Sequence, residues 1–518
     1  MRSNTITSMF LAFKQLSGFG HNPAGSNRTV SRPSASKGET EARLLTRLAL
    51  LAFVYFGLRL LYYAVRIAHD IPPDEVTHFG QCLAFAQTLW LPMDSADTYN
   101  LGLVTYKPYL YFFLMGKSLW LNLFPLSDLV FLRLINVGLT LVTVYVAWKW
   151  IKLMTDNGRV QLLFLVLMTN TAMFGFVGAS VSYDNLTNLL SVTALYFLHR
   201  HFRGPNARAL LLFMISLLAG ALTKKSFLPL LPLYLLVFAV HERKRLGILG
   251  SLLKNAFHPV RPGNALLAGL ALLLLALNVQ LYAGNLIRFG RLLPRTLQVL
   301  TEENAMQYRL FASHRAQYLY RAGRISYEQA EEMARRILHL GDRQTALDMI
   351  EQARENKEHP VEIMNRLSYA LPWLKIMLYR SVNVFGHRVL SKSDAIMAVY
   401  QAVFLAALVC LAFTFRPTEA RGGPADALFL FTAYNLFLMQ GVNYPIYKSV
   451  LLIDITLQGR YAFPVLAPLY GVVAYYLMKP WPRKIQLALL AALSLFFILH
   501  DFPDFLIKVP SDWFQPLL

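Results

Sequence analysis

Charge is what this sequence has little of. Only 15% of its 518 residues are Asp, Glu, Lys or Arg, against roughly a quarter in an average soluble protein. With 56% hydrophobic residues and a mean hydropathy of +0.41, that scarcity excludes a water-soluble globule and a disordered chain alike. Acids are scarcer still, 29 against 50 Lys and Arg, for a net charge of +21. A nucleic-acid binder would gather such an excess on one face with interleaved aromatics. Here the cations fall between long apolar runs, a pattern of membrane topology. Two cysteines, Cys82 and Cys410, are too few for a disulfide scaffold or a cysteine-ligated metal site. No internal repeat or low-complexity tract occurs, and the first 46 residues hold no apolar stretch with a small-residue cleavage site, so no secretory signal peptide is expected. Ile6 to Leu16 reads as a short interfacial helix and Ser34 to Thr40 as a disordered tail.

What is present is a series of apolar runs. A bilayer core needs about 20 apolar residues of helix, and runs near 48–67, 129–150, 160–179, 185–200, 209–223, 226–240, 265–283, 396–415, 426–442, 461–478 and 485–500 predict an all-α polytopic membrane protein with about eleven transmembrane helices. The runs at 209–223 and 226–240 are the shortest. Lys and Arg accumulate on the cytoplasmic side of such proteins. With residues 1–47 inside as a cytoplasmic tail, every inner loop is basic: Lys149, Lys152 and Arg159; Arg200, Arg203 and Arg208; Arg243, Lys244, Arg245, Lys254 and Arg261; Arg416 and Arg421; Lys479, Arg483 and Lys484. The chain then divides into a transmembrane module over 48–283 with a first outer loop, an outer segment over 284–395, further membrane helices over 396–500 and an outer tail over 501–518. In the first outer loop, Glu75 to Leu91 and Tyr106 to Phe124, flanked by Pro92 and Pro108, read as helices lying at the interface. Were 107–124 to cross, every basic loop after it would be outside. The segment 284–395 is too polar to span and too long for a plain loop. Its Ser326-x-x-Gln329 fits a capping box, followed by Ala330, Met333, Ala334, Ile337 and Leu338, and then by Ala346, Leu347, Ile350 and Ala353, at helical spacing, so it is expected to form a small helical subdomain that covers a site.

Chemistry-bearing residues gather on the outer side. After the first run comes Ile71-Pro72-Pro73-Asp74-Glu75-Val76-Thr77-His78, in which two prolines stop the helix and two carboxylates open the next. Glu75 and His78 are three apart and Asp74 and His78 four apart, so they share a helix face; the plain alternative is an N-cap acid with an incidental histidine. A third acid is Asp184 in Ser182-Tyr183-Asp184-Asn185. Lys107, Lys224, Lys225, Lys448 and Arg460 are outer cations near span ends, against the trend of the topology. Lysines in such places also serve by snorkelling to headgroups. Arg460 lies in Gln458-Gly459-Arg460-Tyr461, where a planar guanidinium suits a phosphate and Gly459 permits close backbone approach. Moving a glycosyl unit from a lipid phosphate needs a carboxylate to take the acceptor's proton and fixed cations to hold the departing phosphate, and both kinds of group stand on one side of this membrane.

The Pro-Pro-Asp-Glu-x-x-His element, Ser182-Tyr183-Asp184-Asn185-Leu186 and Gln458-Gly459-Arg460-Tyr461-x-x-Pro464 resemble, in their order and topological side, a large group of bacterial predicted membrane proteins of unknown function. That group is similar to a branch of the GT-C glycosyltransferase superfamily, which includes protein mannosyltransferases and the lipid A aminoarabinose transferase. The resemblance covers about 48–500. It implies a GT-C-like enzyme of the bacterial inner membrane that takes its sugar from a polyprenyl-phosphate carrier and passes it to an envelope glycan, lipid or protein. By position, Asp74 is the candidate base with Glu75 its rival; His78, Lys107, Asp184, Lys224, Lys225, Gln458, Arg460 and Tyr461 are the candidate substrate-binding residues. No cofactor is required by this reading. A divalent metal on Asp74, Glu75 and His78 is ranked below a metal-free site, because one phosphate charge can be neutralised by Lys and Arg. A transporter or flippase, and a glycan ligase or polymerase using a diphosphate carrier, are the competing functions. A transporter would be expected to show paired halves and mid-membrane ionisable residues, whereas Asp74, Glu75 and Asp184 lie at the outer rim.

Overall fold

The computed structural model describes residues 37–243, 262–337, 340–359, 362–386, 388–416, 423–453 and 457–515. The expected helix at Ile6 to Leu16, the first three residues (34–36) of the tail at Ser34 to Thr40, the basic residues Lys244, Arg245, Lys254, Arg261 and Arg421, and Leu338 lie outside them; the rest of that tail, expected to be disordered, is instead the first turn of the helix Lys37–Arg66. Met1–Leu44 and Leu45–Leu518 form two compact units. The described part of the first is the start of a helix, where Arg43 pairs with Glu39 one turn back. Everything below concerns the second.

Each of the eleven expected spans falls on a helix. Among the described residues, eight stretches are long and apolar enough to cross a bilayer: Glu39–Arg66, Asp128–Met154, Lys225–Glu242, Gly263–Phe289, Asp394–Thr414, Pro424–Val450, Gly459–Met478 and Arg483–Lys508. The chain is therefore a multi-pass membrane protein built of helices. Three expected spans depart from plain crossings. The run at 160–179 is two helices, Gly158–Thr169 (α1) and Ala172–Gly178 (α2), bent by 65° at the break between them. There Asn170 Nδ2 donates to Val166 O at 2.9 Å and Thr171 Oγ1 to Leu167 O at 2.9 Å, side chains competing with the backbone ladder. The run at 185–200 lies on Tyr183–Arg203 (α3), which carries too many polar residues to pass as a span by composition. The run at 209–223 lies on Ala207–Thr223 (α4), whose 17 residues are short of a full crossing. Two spans contain π-helical turns, at Val279–Ala283 and Leu438–Asn443.

Between the first two long spans, the helices expected at Glu75 to Leu91 and Tyr106 to Phe124 are shorter: Glu75–Ala86 (α5) and Leu110–Ser118 (α6). Nine residues of α6 rise about 14 Å, far less than a bilayer core of about 30 Å, so α6 is too short to cross on its own. The two helices touch at Gly116, where a Cβ would stand 2.7 Å from Cys82 O. Leu89, Trp90, Met93, Leu121, Leu123 and Phe124 at their ends are exposed, as suits an interfacial element.

In the 284–395 segment, Arg309–Arg321 (α7), Tyr327–Arg335 (α8) and Leu340–Glu358 (α9) enclose a small core that includes Ala316, Tyr320, Ala330, Ala334, Ile350 and Ala353. Ser326 and Gln329 form the capping box in both directions, at 3.2 and 2.8 Å. The span before this segment continues to Phe289, past the expected boundary at 283. Beyond it, Ala370–Val382 (α10) buries Trp373 and Met377 in the main core instead of the small one. A two-residue ladder, Val384–Phe385 with Val389–Leu390, follows. Gly386 closes this hairpin so tightly onto Ile71 that a Cβ there would collide with Ile71 O, which seats the hairpin on the Pro72-Pro73-Asp74 turn.

Candidate active site

Asp74 is the N-cap of α5, in the left-handed conformation with φ 61°, which Asp tolerates better than most residues. Its side chain makes no capping bond. Instead Arg460 Nη2 donates to Asp74 Oδ2. Arg460 sits at the start of the 3₁₀ turn Gly459–Val465 that opens a span; its Nη1 donates to Asp184 Oδ2 at 3.3 Å and its Nε to Gln458 Oε1. Asp184, in the first turn of α3 behind the N-cap Ser182, also accepts from Lys224 Nζ at the end of α4. Lys224 lies over the rings of Tyr183 and Tyr461, at 4.4 and 5.3 Å. The result is an alternating chain, Asp74, Arg460, Asp184, Lys224, balanced in charge and drawn from the ends of four elements. Asp184, Lys224 and Arg460 are buried, whereas the Asp74 side chain is 27% exposed, so Asp74 is the acid of this chain that a substrate can reach.

Burial pushes Asp74 upward, but the positive charge and hydrogen bond of Arg460 outweigh it and hold the carboxyl well below the usual carboxylate range. Asp74 is thus ionised at neutral pH. His78, one turn on, is held down to about 4, chiefly by burial. The neutral ring has Nδ1 at 3.2 Å from Val181 O, which requires the proton on Nδ1, and it packs on Tyr183 at 4.3 Å between centroids.

Glu75 is placed otherwise. It is fully buried, with Arg133 Nε on Oε1 at 2.9 Å and Nη2 on Oε2 at 2.5 Å, and Val181 N on Oε1 at 2.7 Å. Arg133 also caps the carbonyls of Ala64 and Ile67 at the end of the first span. This carboxylate therefore holds the loop together and faces away from Asp74's open side. With Glu75 engaged, the trio Asp74, Glu75 and His78 does not converge on a metal, and no group of three or more His, Cys, Asp or Glu among the described residues could hold one.

Lys225 is exposed beside Lys224, and Lys107 is half-buried across from it. Burial brings Lys107 down to about 8, with Asp94 opposing and Lys225 reinforcing the shift. These two form a cationic rim outside the balanced chain. Lys448 is exposed near the end of another span, and the ion pairs that build the chain do not include it. Gly459 does permit a close approach, to protein: a Cβ would stand 2.5 Å from Ser381 N of α10.

Sequence reasoning expected the 284–395 segment to cover a site but missed the residues it supplies. Arg309, at the start of α7, donates to Thr77 Oγ1 at 2.9 Å and to Asp342 at 2.6 Å. Tyr308 lays its ring on Gly102, 3.0 Å from where a Cβ would be, with φ 74° at that glycine. Both reach the neighbourhood of Asp74 and contribute to its electrostatics or feel its charge.

No protein-family model and no curated protein matches the chain in sequence. Solved structures do match in shape. The protein O-mannosyltransferase Pmt1-Pmt2 complex of S. cerevisiae, bound to the sugar donor, is 16% identical over 48% of this chain and 35% of that one, with a TM-score of 0.33. The oligosaccharyltransferase of Archaeoglobus fulgidus, tethered with an acceptor peptide, is 12% identical over 89% and 54%, with a TM-score of 0.41. ArnT of Cupriavidus metallidurans, bound to undecaprenyl phosphate, is 14% identical over 83% and 78%, with a TM-score of 0.35. All three are GT-C glycosyltransferases. The chain spans 35% of the length of the first and 54% of the second. At TM-scores below 0.5 no correspondence of residues follows from these likenesses.

Proposed function

We propose that the protein is a membrane glycosyltransferase that moves a sugar from a polyprenyl-phosphate donor to an envelope glycan, lipid or protein acceptor on the extracytoplasmic face of a bacterial inner membrane. The observation that carries this reading is the bridging of Asp74 and Asp184 by Arg460, which joins three distant motifs into one site holding an accessible ionised carboxylate beside fixed cations. In the reaction, Asp74 takes the proton of the acceptor's hydroxyl or amine as that atom attacks the anomeric carbon. The bond from that carbon to the phosphate oxygen breaks, and the polyprenyl phosphate leaves with the electron pair, its charge met by Arg460 and Lys224. One displacement inverts the anomeric centre. His78 and Tyr183 wall the site, Gln458 and Tyr461 orient Arg460, and Lys107 and Lys225 draw the anion in.

The orientation is supported by the helices that begin at the site. The span that starts at Asp128 ends beyond Lys149 and Lys152, α3 runs from Asp184 to Arg200 and Arg203, and the span from Gly459 ends at Lys479. The end opposite Asp74 is basic, as a cytoplasmic face should be. The proposal is tested with purified protein in lipid discs and a panel of labelled polyprenyl-phosphate sugars. Asp74→Asn should keep the melting temperature and lose transfer by about 10²- to 10⁴-fold, the usual contribution of a general base. Transfer at the wild-type rate in that variant would overturn the assignment.

A further inference from the structure

Away from the carboxylate chain, the first and last spans meet at a buried ion pair in which Arg59 Nη1 donates to Asp501. Ionised groups within a membrane bundle are costly, and they persist where they have something to hold. Here it is a break in another helix. A bent span is tolerated at membrane depth only where neighbouring groups satisfy the backbone it frees. At the 65° bend between α1 and α2, Asn170 and Thr171 satisfy Val166 O and Leu167 O from within the segment. The carbonyl of Thr169 is satisfied from outside, by Arg59 Nη2. Arg59 also packs against α2, since a Cβ at Gly175 would collide with its guanidinium.

α2 carries the chain into the site. At its exit, Val181 N bonds Glu75 at 2.7 Å, Val181 O meets His78 at 3.2 Å, and Asp184 joins Arg460 and Lys224. Asn185 Nδ2 ties this turn back to Val177 O at 3.1 Å. At 1.5 Å per residue α2 is about 10 Å long, so a change of roughly 10° at the break displaces its far end by about 2 Å. Misplacement of about 1 Å can cost roughly 10²-fold in rate.

We propose that Arg59 and Asp501 are positioning residues for the site: Arg59 caps the broken span at Thr169 and sets the angle of α2, Asp501 is its counter-ion, and together they place Val181 and Asp184. The kinetic arm of the test rests on the glycosyltransferase reading; the structural arm does not. Full-length Arg59→Gln/Asp501→Asn removes both charges and keeps a donor for Thr169 O, whereas Arg59→Met/Asp501→Asn removes the donor too. Hydrogen exchange over 177–185 and the kinetics of sugar transfer are measured on both. The Gln/Asn pair should match wild type in exchange and kcat. The Met/Asn pair should exchange at least about tenfold faster at the Val181 amide and lose about tenfold or more in kcat, as expected for misplacement of the site. Gly175→Ala, which displaces the guanidinium while keeping the ion pair's residues, should shift both readouts the same way, and it decides the matter if the Met/Asn protein does not insert. A Met/Asn or Gly175→Ala protein that melts earlier but exchanges and turns over like wild type would reduce the pair to a lock between spans and overturn the proposal. Absence of transfer by the wild type would count against the glycosyltransferase reading alone and leave the exchange result to decide.

Discussion

Two adjacent carboxylates in this protein have opposite fates, and residue geometry explains why. Asp74 stands in a left-handed turn just before the helix and Glu75 is its first helical residue, so while Asp74 faces Arg460, Glu75 points into the bundle at Arg133. The sequence left them as rivals because it shows neither the left-handed turn at Asp74 nor the distant arginine. Arg133 itself was legible as a warning: an arginine six residues into a span needs a partner, and Arg59 carried the same signal. The pH dependence belongs to this scale. Asp74 is held below the usual carboxylate range by Arg460, so it stays ionised and contributes no acid limb to kcat/KM above about pH 4. Lys107, held near 8 by burial, is cationic below that value and loses its charge as pH rises through it. Donor KM should therefore climb above pH 8 in the wild type. Arginine stays charged throughout this range, so in Lys107→Arg the climb should disappear; its persistence would remove Lys107 from the rim.

Among the elements, the spans were the most legible, because a bilayer imposes a length and an apolar composition that hardly depend on tertiary contacts. The capping box at Ser326 was readable for a similar reason, being a local exchange of bonds. What could not be read was the bend between α1 and α2, since Asn170 and Thr171 fit a polar spot in a straight helix as well as a break. Nor could the role of Gly459 be read: the sequence shows that a close approach is allowed and not that α10 makes it. Gly459→Ala would push Ser381 away and tilt the turn bearing Arg460. Overpacking of this kind typically costs about 1–3 kcal/mol, so a melting temperature lowered by several degrees together with raised donor KM is expected. Glu75→Ala leaves Arg133 buried without its partner, a loss of about 3–5 kcal/mol for such pairs. It should fail in folding or insertion where Asp74→Asn does not, and equal melting temperatures for the two would refute the division of labour between the acids.

For the molecule as a whole, the excess of positive charge separates by location. The cations at the helix ends opposite Asp74 are those expected on the cytoplasmic side, those of α7 to α9 are largely paired with neighbouring acids, and Lys107 and Lys225 at the rim are the ones that, under the proposed function, would meet an anionic substrate. An impermeant maleimide applied to whole cells should therefore label a cysteine placed at exposed Ser326 and spare one at Asn206, between α3 and α4, until the membrane is opened; the reverse pattern would invert the topology. The balanced chain at the site has a consequence for timing. Without a substrate, Asp74 is tied to Arg460, which lowers its basicity. A phosphate seated on the guanidinium would compete for the bond that Asp74 now holds, and the carboxylate it releases would be the stronger base. Under the proposed function, the donor's own charge would then arm the catalyst, so that the base gains its strength only once the donor is in place.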